Sequence, residues 1–318
     1  MNITKLGIYL VIIYSFMACS KSTMKFIPFQ EQTLKEIPGA SGVAFQENKI
    51  YVIGDNAPYL FELNHQGKLL SKFQIHSLKD YHNNEIAKPL KPDFEAMELI
   101  QYQGKKELII FGSGSKSPER DVFTRIYLKE PPELKTYNLT GFYSVLKELK
   151  LTKGYELNIE AVAMHADSLM LFNRGQNLIF KLDYSGFLHY LSNEKKLPEI
   201  EVIEIQLPHI NQITAGFSGA TIIPGTRTLL FTTTVENTPN AYDDGEVLGS
   251  FLGMVNLEEL SDPGALKYAL LKKNREAWKI KIESVAVVKS ISPKQLEILL
   301  VSDSDGAESQ LIRGTLSW

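Results

Sequence analysis

The chain has 318 residues, of which 44% are hydrophobic, 22% charged and 10% aromatic. This is the composition of a folded chain long enough to bury its own core, which excludes disordered, collagen-like and polytopic membrane proteins. The formal net charge of −3 gives no reason to expect nucleic acid as a partner. The single cysteine excludes both an intrachain disulfide framework and a multi-cysteine zinc site.

Residues 1–18 have the pattern of a signal peptide. Lys5 precedes an apolar run from Leu6 to Met17, which is too short to span a bilayer as a permanent helix. Ala18 then stands directly before Cys19, as in the lipobox of bacterial lipoproteins, although Phe16 replaces the more common leucine. An ordinary signal peptide with an incidental cysteine is the alternative.

An acylated Cys19 would hold the mature chain on a membrane, and we expect residues 19–25 to form a short tether. No aspartate follows Cys19. By resemblance to known sorting rules, this favours the outer membrane of the bacterial envelope, with the protein facing the periplasm. The domain that follows would span residues 26–318.

Five segments of the remaining chain share one pattern of small, apolar and Ser or Glu residues. They read ASGVA (40–44), FEAM (94–97), IEAVA (159–163), FSGAT (217–221) and IESVA (282–286). Their key residues, Ser41, Glu95, Glu160, Ser218 and Glu283, are 54, 65, 58 and 65 positions apart. A second apolar strand with a polar end follows each segment, and a third follows most of them.

Five sequential β units of this size predict an all-β fold, a five-bladed β-propeller, with a sixth blade left open. The stretch 26–37 would add an outer strand to the last blade and close the ring. Helical spacing of apolar residues predicts small insertions at 142–150 and, with more charge, at 266–278.

In a propeller the innermost strands line the central channel, so the five key residues should meet near the axis. Three carboxylates this close must be partly protonated or neutralised by a cation. Oxygen ligands without His or Cys favour Ca²⁺ as the cofactor, held by Ser41, Glu95, Glu160, Ser218 and Glu283. The alternative is structural, with each Glu accepting hydrogen bonds from backbone amides of neighbouring blades.

The order Ser, Glu, Glu, Ser, Glu resembles the calcium-activated nucleotidases (soluble apyrases), five-bladed propellers with an axial Ca²⁺. The segment Asp93-Phe94-Glu95-Ala96 is similar to the blade start of esterase-like-phytase propellers. The apyrase resemblance implies a catalytic Asp-Asp-Arg-Thr-Gly stretch where this chain has Gly54-Asp55-Asn56-Ala57-Pro58-Tyr59. Asp55 is kept, but the phosphate-binding arginine has no counterpart.

Polar residues at the ends of the second strands should crowd at one mouth of the channel. They are Asp55, Asn56, Ser113, Ser115, Asn173, Arg174, Thr232, Thr234, Ser302, Asp303 and Asp305. Lys116, Arg120 and Arg125 follow Ser115 closely along the chain. They are therefore expected to reach the rim of this mouth, where they would suit a phosphate or carboxylate. Each of these polar residues can equally be a turn former that satisfies its own backbone.

The sequence therefore leaves two functions open. The first is a monomeric, lipid-anchored binding module that takes a small anionic ligand or an envelope protein, with Asn56, Lys116, Arg120, Arg174 and Asp303 as ligand-binding residues. The second is a calcium-dependent hydrolase of phosphoesters or related anions, with Asp55 as general base. The missing arginine favours binding.

Overall fold

The computed structural model describes residues 24–82, 85–192, 196–238, 245–303 and 308–318. The predicted signal peptide, Cys19 and Asp305 lie outside these residues. Within them no helix is both long and apolar enough to cross a membrane.

Five four-stranded antiparallel sheets form the five blades of a β-propeller. In chain order, the N-terminal strand and the first blade are β1 (Lys25–Leu34), β2 (Ala40–Gln46), β3 (Lys49–Gly54), β4 (Tyr59–Asn64) and β5 (Leu69–Gln74). A ribbon and the second blade follow as β6 (Tyr81–His82), β7 (Glu85–Ile86), β8 (Phe94–Tyr102), β9 (Lys105–Gly112), β10 (Val122–Tyr127) and β11 (Glu133–Asn138).

The second half of the chain continues the same plan. After helix α1 (Thr140–Glu148), the third blade and its neighbours are β12 (Ile159–His165), β13 (Ser168–Asn173), β14 (Leu178–Asp183), helix α2 (Tyr184–Leu191), β15 (Glu201–Glu204), β16 (His209–Ile210) and β17 (Ile213–Thr214). The fourth blade is β18 (Gly216–Ile222), β19 (Thr228–Asn237), β20 (Glu246–Asn256) and β21 (Lys267–Leu270), with a 3₁₀ turn at Leu257–Glu259. The last strands are β22 (Lys272–Lys273), β23 (Glu276–Ala277), β24 (Lys281–Ser292), β25 (Gln295–Asp303) and β26 (Ser309–Ser317).

The ring closes through β1, which pairs antiparallel with β26 and becomes the outermost strand of the fifth blade. Phe26 lies opposite Leu316 in this pairing. The predicted outer strand is therefore confirmed, over Lys25–Leu34. Because the two ends of the chain share one sheet, the blades form a continuous circle.

The core is divided among the blade interfaces. Five hydrophobic clusters are found in the described residues, one between each pair of neighbouring blades. The largest, between the second and third blades, also buries Phe142 of α1 and Phe187 of α2. Strand residues alternate between neighbouring interfaces, because successive side chains point to opposite faces of a sheet.

One predicted helix is confirmed and one is wrong. Helix α1 buries Phe142 and Leu146 as the spacing predicts. The stretch 266–278 forms β21 and the β22–β23 hairpin instead. Asn274 and Arg275 occupy the turn of this hairpin with φ of 54° and 71°, a left-handed pair that suits a two-residue turn and interrupts a helix. Helix α2, which was not expected, is capped by the Asp183 carboxylate accepting from Gly186 N.

All five innermost strands run in the same direction. We call the end of the channel where they begin the mouth, and the opposite end the far face. Since neighbouring strands are antiparallel, the second strand of each blade returns to the mouth. Apart from Asp305, which lies outside the described residues, the polar strand ends noted in the sequence are therefore at the mouth end of the blades.

Candidate functional site

The mouth of the channel is a cavity of about 930 Å³. Every blade contributes side chains to it. Its charged lining comprises nine carboxylates and five cations, namely Asp55, Glu85, Asp93, Glu95, Glu156, Glu160, Glu236, Glu283, Asp303, Lys88, Lys91, Arg120, Arg174 and Lys281. The excess of acids makes the cavity a poor place for an anion unless a further cation is present.

The five key residues of the repeat occupy equivalent positions. In every innermost strand the register shifts by one residue at the key position, a β-bulge at Ser41, Glu95, Glu160, Ser218 and Glu283. A bulge leaves its residue out of the ladder and re-aims the side chain. Four of the five line the cavity. Ser218 does not, and its hydroxyl donates to Thr232 Oγ1 at 3.1 Å.

Asp93 is the most heavily paired acid of the site. Its carboxylate accepts from Arg120 Nη1 and lies 2.7 Å from both this nitrogen and Lys91 Nζ. The Ser113 hydroxyl also donates to it. Burial favours the protonated acid, but the two cations outweigh burial and lower the pKa of Asp93. Asp93 therefore stays ionised.

Lys91 joins Asp93 to Asp55. Its ammonium also forms an ion pair with Asp55 Oδ2, whereas the buried Asp55 Oδ1 has no hydrogen-bond partner among the described residues. Burial opposes the charge on Lys91, yet Asp55 and Asp93 raise its pKa above the usual value. Gly39 lies against this pair, since a Cβ there would overlap Asp55 Oδ1.

Glu95 completes the acidic cluster. One carboxylate oxygen from each of Asp55, Asp93 and Glu95 lies within 4.8 Å of the other two. Within the part of the chain that the structure describes, Glu95 has neither a hydrogen bond nor an ion pair. Burial, and then Asp93, Glu160 and Asp55, raise the pKa of Glu95 well above its usual range. A cation near Glu95 would relieve this cost.

Glu160 is neutralised from within its own blade, by Arg174 at the end of β13. Arg174 Nη1 lies 3.5 Å from Glu160 Oε2, and Arg174 Nη2 donates to Glu236 at 2.7 Å. Asn158 Nδ2 donates to Glu160 Oε1 at 2.6 Å. Burial raises the pKa of Glu160 to about 7, with Arg174 opposing the rise and Glu283 adding to it. Glu160 therefore exchanges its proton near neutral pH.

Glu283 has its own counter-ion on the same strand, Lys281 Nζ at 3.2 Å. Burial raises the pKa of Glu283, and Lys281 and Arg174 limit the rise. Lys281 and Glu283 are two residues apart on β24, so the pair lies on one side of the strand. Glu160 and Glu283 thus each have a protein cation within 3.5 Å, whereas among the described residues Glu95 has no ion pair and is reached only by the field of Lys91, which lowers its pKa in part.

The residues expected to bind an anion lie in two places. Asn56, Arg120, Arg174 and Asp303 line the cavity, and the two arginines are held by carboxylates there. Lys116 does not line it, and Lys116 Nζ donates to Pro89 O at 2.7 Å.

Arg125 lies away from the rim. It forms a buried bidentate pair with Glu107, at 3.0 and 2.9 Å, between the second and third blades. Tyr184 donates a 3.3 Å hydrogen bond to the same carboxylate. The expectation that Arg125 reaches the mouth is therefore wrong, because β10 points this side chain into a blade interface.

Comparison with known proteins gives a family for this chain. Residues 36–316 match the profile of a family of unknown function, DUF6929. The chain belongs to this family. No curated protein matches the DUF6929 chain in sequence.

Solved structures agree with the fold. The glutaminyl cyclase of Myxococcus xanthus superposes with a TM-score of 0.51 at 9% identity, covering 92% of this chain and 96% of the cyclase. A GH43 endo-arabinanase from Bacillus licheniformis gives 0.47 at 12% identity, covering 90% and 96%. At 9% identity the likeness to the cyclase shows only that the DUF6929 chain shares its fold.

Sequence reasoning missed Lys91, Asn158, Glu236 and Lys281. A local signal existed for Asn158 and Lys281, and also for Asp93. Each of these polar residues stands two positions before a key glutamate. Side chains two apart on a strand share a side, so these residues must reach the same cavity. Glu236 had no such signal, because its link to Arg174 joins residues 62 positions apart.

Proposed function

We propose that this protein is a lipid-anchored envelope propeller whose channel mouth binds Ca²⁺ and, through it, a small anionic ligand. The observation that carries the proposal is the Asp55, Asp93 and Glu95 cluster, with carboxylate oxygens within 4.8 Å of one another. All three are hard oxygen donors, and among the described residues no His or Cys lines the cavity. The open cavity leaves room for the waters that complete a calcium shell.

The fit between the site and the ion depends on Lys91. Its ammonium pairs with Asp55 and Asp93 and so competes for the same oxygens. Glu95 and the unpartnered Asp55 Oδ1 would supply ligands that Lys91 does not use. Ser41, Glu160 and Glu283 line the same cavity and remain candidate outer contributors, whereas Ser218 faces Thr232.

A bound divalent ion adds two positive charges to a cluster in which Lys91 and Arg120 already balance part of the charge of Asp55, Asp93 and Glu95. Arg120 and Arg174 are each paired with carboxylates, so neither offers a full charge to an anion. Asn56 and Asp303 also line the cavity, where the Asn56 amide would donate a hydrogen bond to the ligand and Asp303 would accept one from a ligand hydroxyl or amide. Calcium binding and anion binding are therefore expected to be coupled.

The test is calorimetric titration of chelator-stripped protein with Ca²⁺ and with Mg²⁺. We expect calcium-selective binding, a loss of at least about tenfold in affinity for Glu95→Gln, and a gain for Lys91→Met, which removes the competing ammonium. Glu98→Gln is the matched control, because Glu98 lies on the same strand outside the cavity, where Thr221 donates to it at 3.2 Å. Absence of binding by both the native protein and Lys91→Met would make Lys91 the permanent counter-ion and reject the calcium site.

A calcium-dependent hydrolase is the second candidate, and the raised pKa values favour it. Glu160, with a pKa of about 7, can hold a proton at neutral pH beside ionised Asp93. A protonated and an ionised carboxyl in one cavity are the groups that general acid–base hydrolysis needs. Calcium-dependent turnover of phosphoesters or nucleotides that Asp55→Ala abolishes would support this function, and no turnover would leave the binding module.

The anchor is proposed from the lipobox at Cys19. Mass spectrometry of the mature N-terminal peptide should find acyl chains on Cys19, and Cys19→Ser should release the protein from envelope membranes. Recovery of unmodified, soluble native protein would reject anchoring without affecting the calcium experiment.

A further inference from the structure

The chain direction of β1 fixes where the anchor joins the propeller. Innermost strand β24 runs from the mouth to the far face, and β25, β26 and β1 alternate in direction across the sheet. Lys25 pairs with Ser317 at the far face, and Leu34 pairs with Ser309 near the mouth. The chain therefore enters the propeller at the far face of the fifth blade.

The tether is too short to pass around the blade. Five peptide units separate Cys19 from Met24, and when fully extended they reach about 17 Å. The ten residues of β1 span roughly 30 Å between the two faces. Met24 itself is buried in the fifth-blade core, so it cannot lengthen the tether by pulling away.

The far end of the fifth blade also carries an exposed apolar surface, which we name the anchor surface. It consists of Ile27, Phe29 and Ile291, which are 50%, 58% and 48% exposed. Ile27 and Phe29 lie in the first half of β1, on its exposed side, and Ile291 lies at the tip of the β24–β25 hairpin. Lys25 and Lys294 are exposed at the same end.

We propose that the anchor surface lies on the lipid bilayer and that the mouth consequently faces away from the membrane. This inference rests on the proposed acylation of Cys19. Apolar side chains beside a lipid anchor gain by entering the headgroup boundary, and lysines beside them suit anionic lipids. The ligand of the mouth would then arrive from the aqueous compartment rather than from the membrane.

The experiment uses full-length lipoprotein reconstituted into vesicles of phosphatidylethanolamine and phosphatidylglycerol. Since acylation consumes the only native cysteine, single probes can be attached at Ile291→Cys on the far face and at Leu151→Cys in the loop after α1 at the mouth. Leu134→Cys, on the outer strand of the second blade, is the lateral control. Leu151 is 42% and Leu134 38% exposed, so all three positions accept a label.

Brominated lipids should quench the probe at position 291 several-fold more than the probe at position 151. Equal quenching, or stronger quenching at position 151, would overturn the inference. Absence of quenching at position 291, together with a disulfide between copies that carry Ile27→Cys, would assign the anchor surface to a second copy of this chain, which also overturns the inference. Mass spectrometry of the same samples separates the two proposals: acylated Cys19 with the wrong probe quenched rejects only the orientation, and unmodified Cys19 rejects both.

Discussion

The blades with a key glutamate and the blades with a key serine differ in the residue that stands two positions before the key residue. The second, third and fifth blades pair Glu95, Glu160 and Glu283 with the polar residues Asp93, Asn158 and Lys281. The first and fourth blades pair Ser41 and Ser218 with Gly39 and Gly216. All five share the same bulge.

The glycines leave space that other side chains occupy. A Cβ at Gly39 would overlap Asp55 at the end of β3, and a Cβ at Gly216 would overlap Arg174 of the preceding blade. Two positions before the key residue, the glutamate blades therefore place a polar side chain, and the serine blades leave space that Asp55 and Arg174 occupy. The site is asymmetric although the fold repeats.

The largest expected effect comes from replacing Arg174, which extends from the third blade, a glutamate blade, to Glu236 in the fourth, a serine blade. Arg174→Met leaves Glu160 and Glu236 buried without their cation, and we expect a loss of about 3–5 kcal/mol in the free energy of unfolding. Denaturant unfolding at pH 7 measures it. The loss should shrink at pH 5, where Glu160, with its pKa of about 7, takes up a proton, and an equal loss at both pH values would contradict the assigned role.

The second largest effect on the free energy of unfolding is expected from the protonation of Glu160. Its pKa is about 7 in the folded chain and near 4.5 when unfolded, so the folded state holds the proton more tightly. This contribution is complete below pH 4.5 and disappears as the pH rises through 7, with an upper bound on the order of 3 kcal/mol. Unfolding free energies of the native chain and Glu160→Gln, measured from pH 4.5 to 8 in chelator, should diverge over that range. Parallel curves would show that Glu160 does not carry the raised pKa.

Filling the space beside Gly39 in the first blade should lower the free energy of unfolding by a smaller amount. Gly39→Ala combines a left-handed φ of 52° with overlap on Asp55, and we expect a loss of about 2–3 kcal/mol. Gly225→Ala is the matched control, because Gly225 has a φ of 74° but nothing within 4 Å, so only about 1 kcal/mol is expected. Equal losses in thermal or denaturant unfolding would mean that the glycine serves the backbone alone.

The smallest effect is expected at Ser218. Ser218→Ala removes a hydrogen bond of 3.1 Å to Thr232, which is worth about 1 kcal/mol. Because Ser218 does not line the cavity, calcium affinity should stay unchanged in the calorimetric titration, whereas Glu95→Gln lowers it. A clear drop in affinity for Ser218→Ala would restore the five-residue ligand set expected from the repeat.

Local patterns in the sequence were sufficient to predict the five-bladed fold. Strand alternation, the spacing of the key residues and the leftover strand at 26–37 predict a closed five-bladed ring, because a blade is built from short-range hairpins. The pattern gave a wrong prediction at 266–278, where the spacing of apolar residues resembles that of a helix. This stretch forms strands because β21 pairs with β20 and because Asn274 and Arg275 form a turn. Tertiary pairing outweighed a weak local preference there.

The sequence by itself determined the five blades, their closure and the recurrence of one key residue in each innermost strand, since repetition of a pattern implies repetition of position. Tertiary structure alone decided which charges meet. Arg174 reaches Glu236 only because Gly216 leaves room, and Arg125 turns to Glu107 rather than to the mouth. Ion pairs of this kind depend on volume and distance between residues far apart in the chain, and local periodicity contains neither quantity.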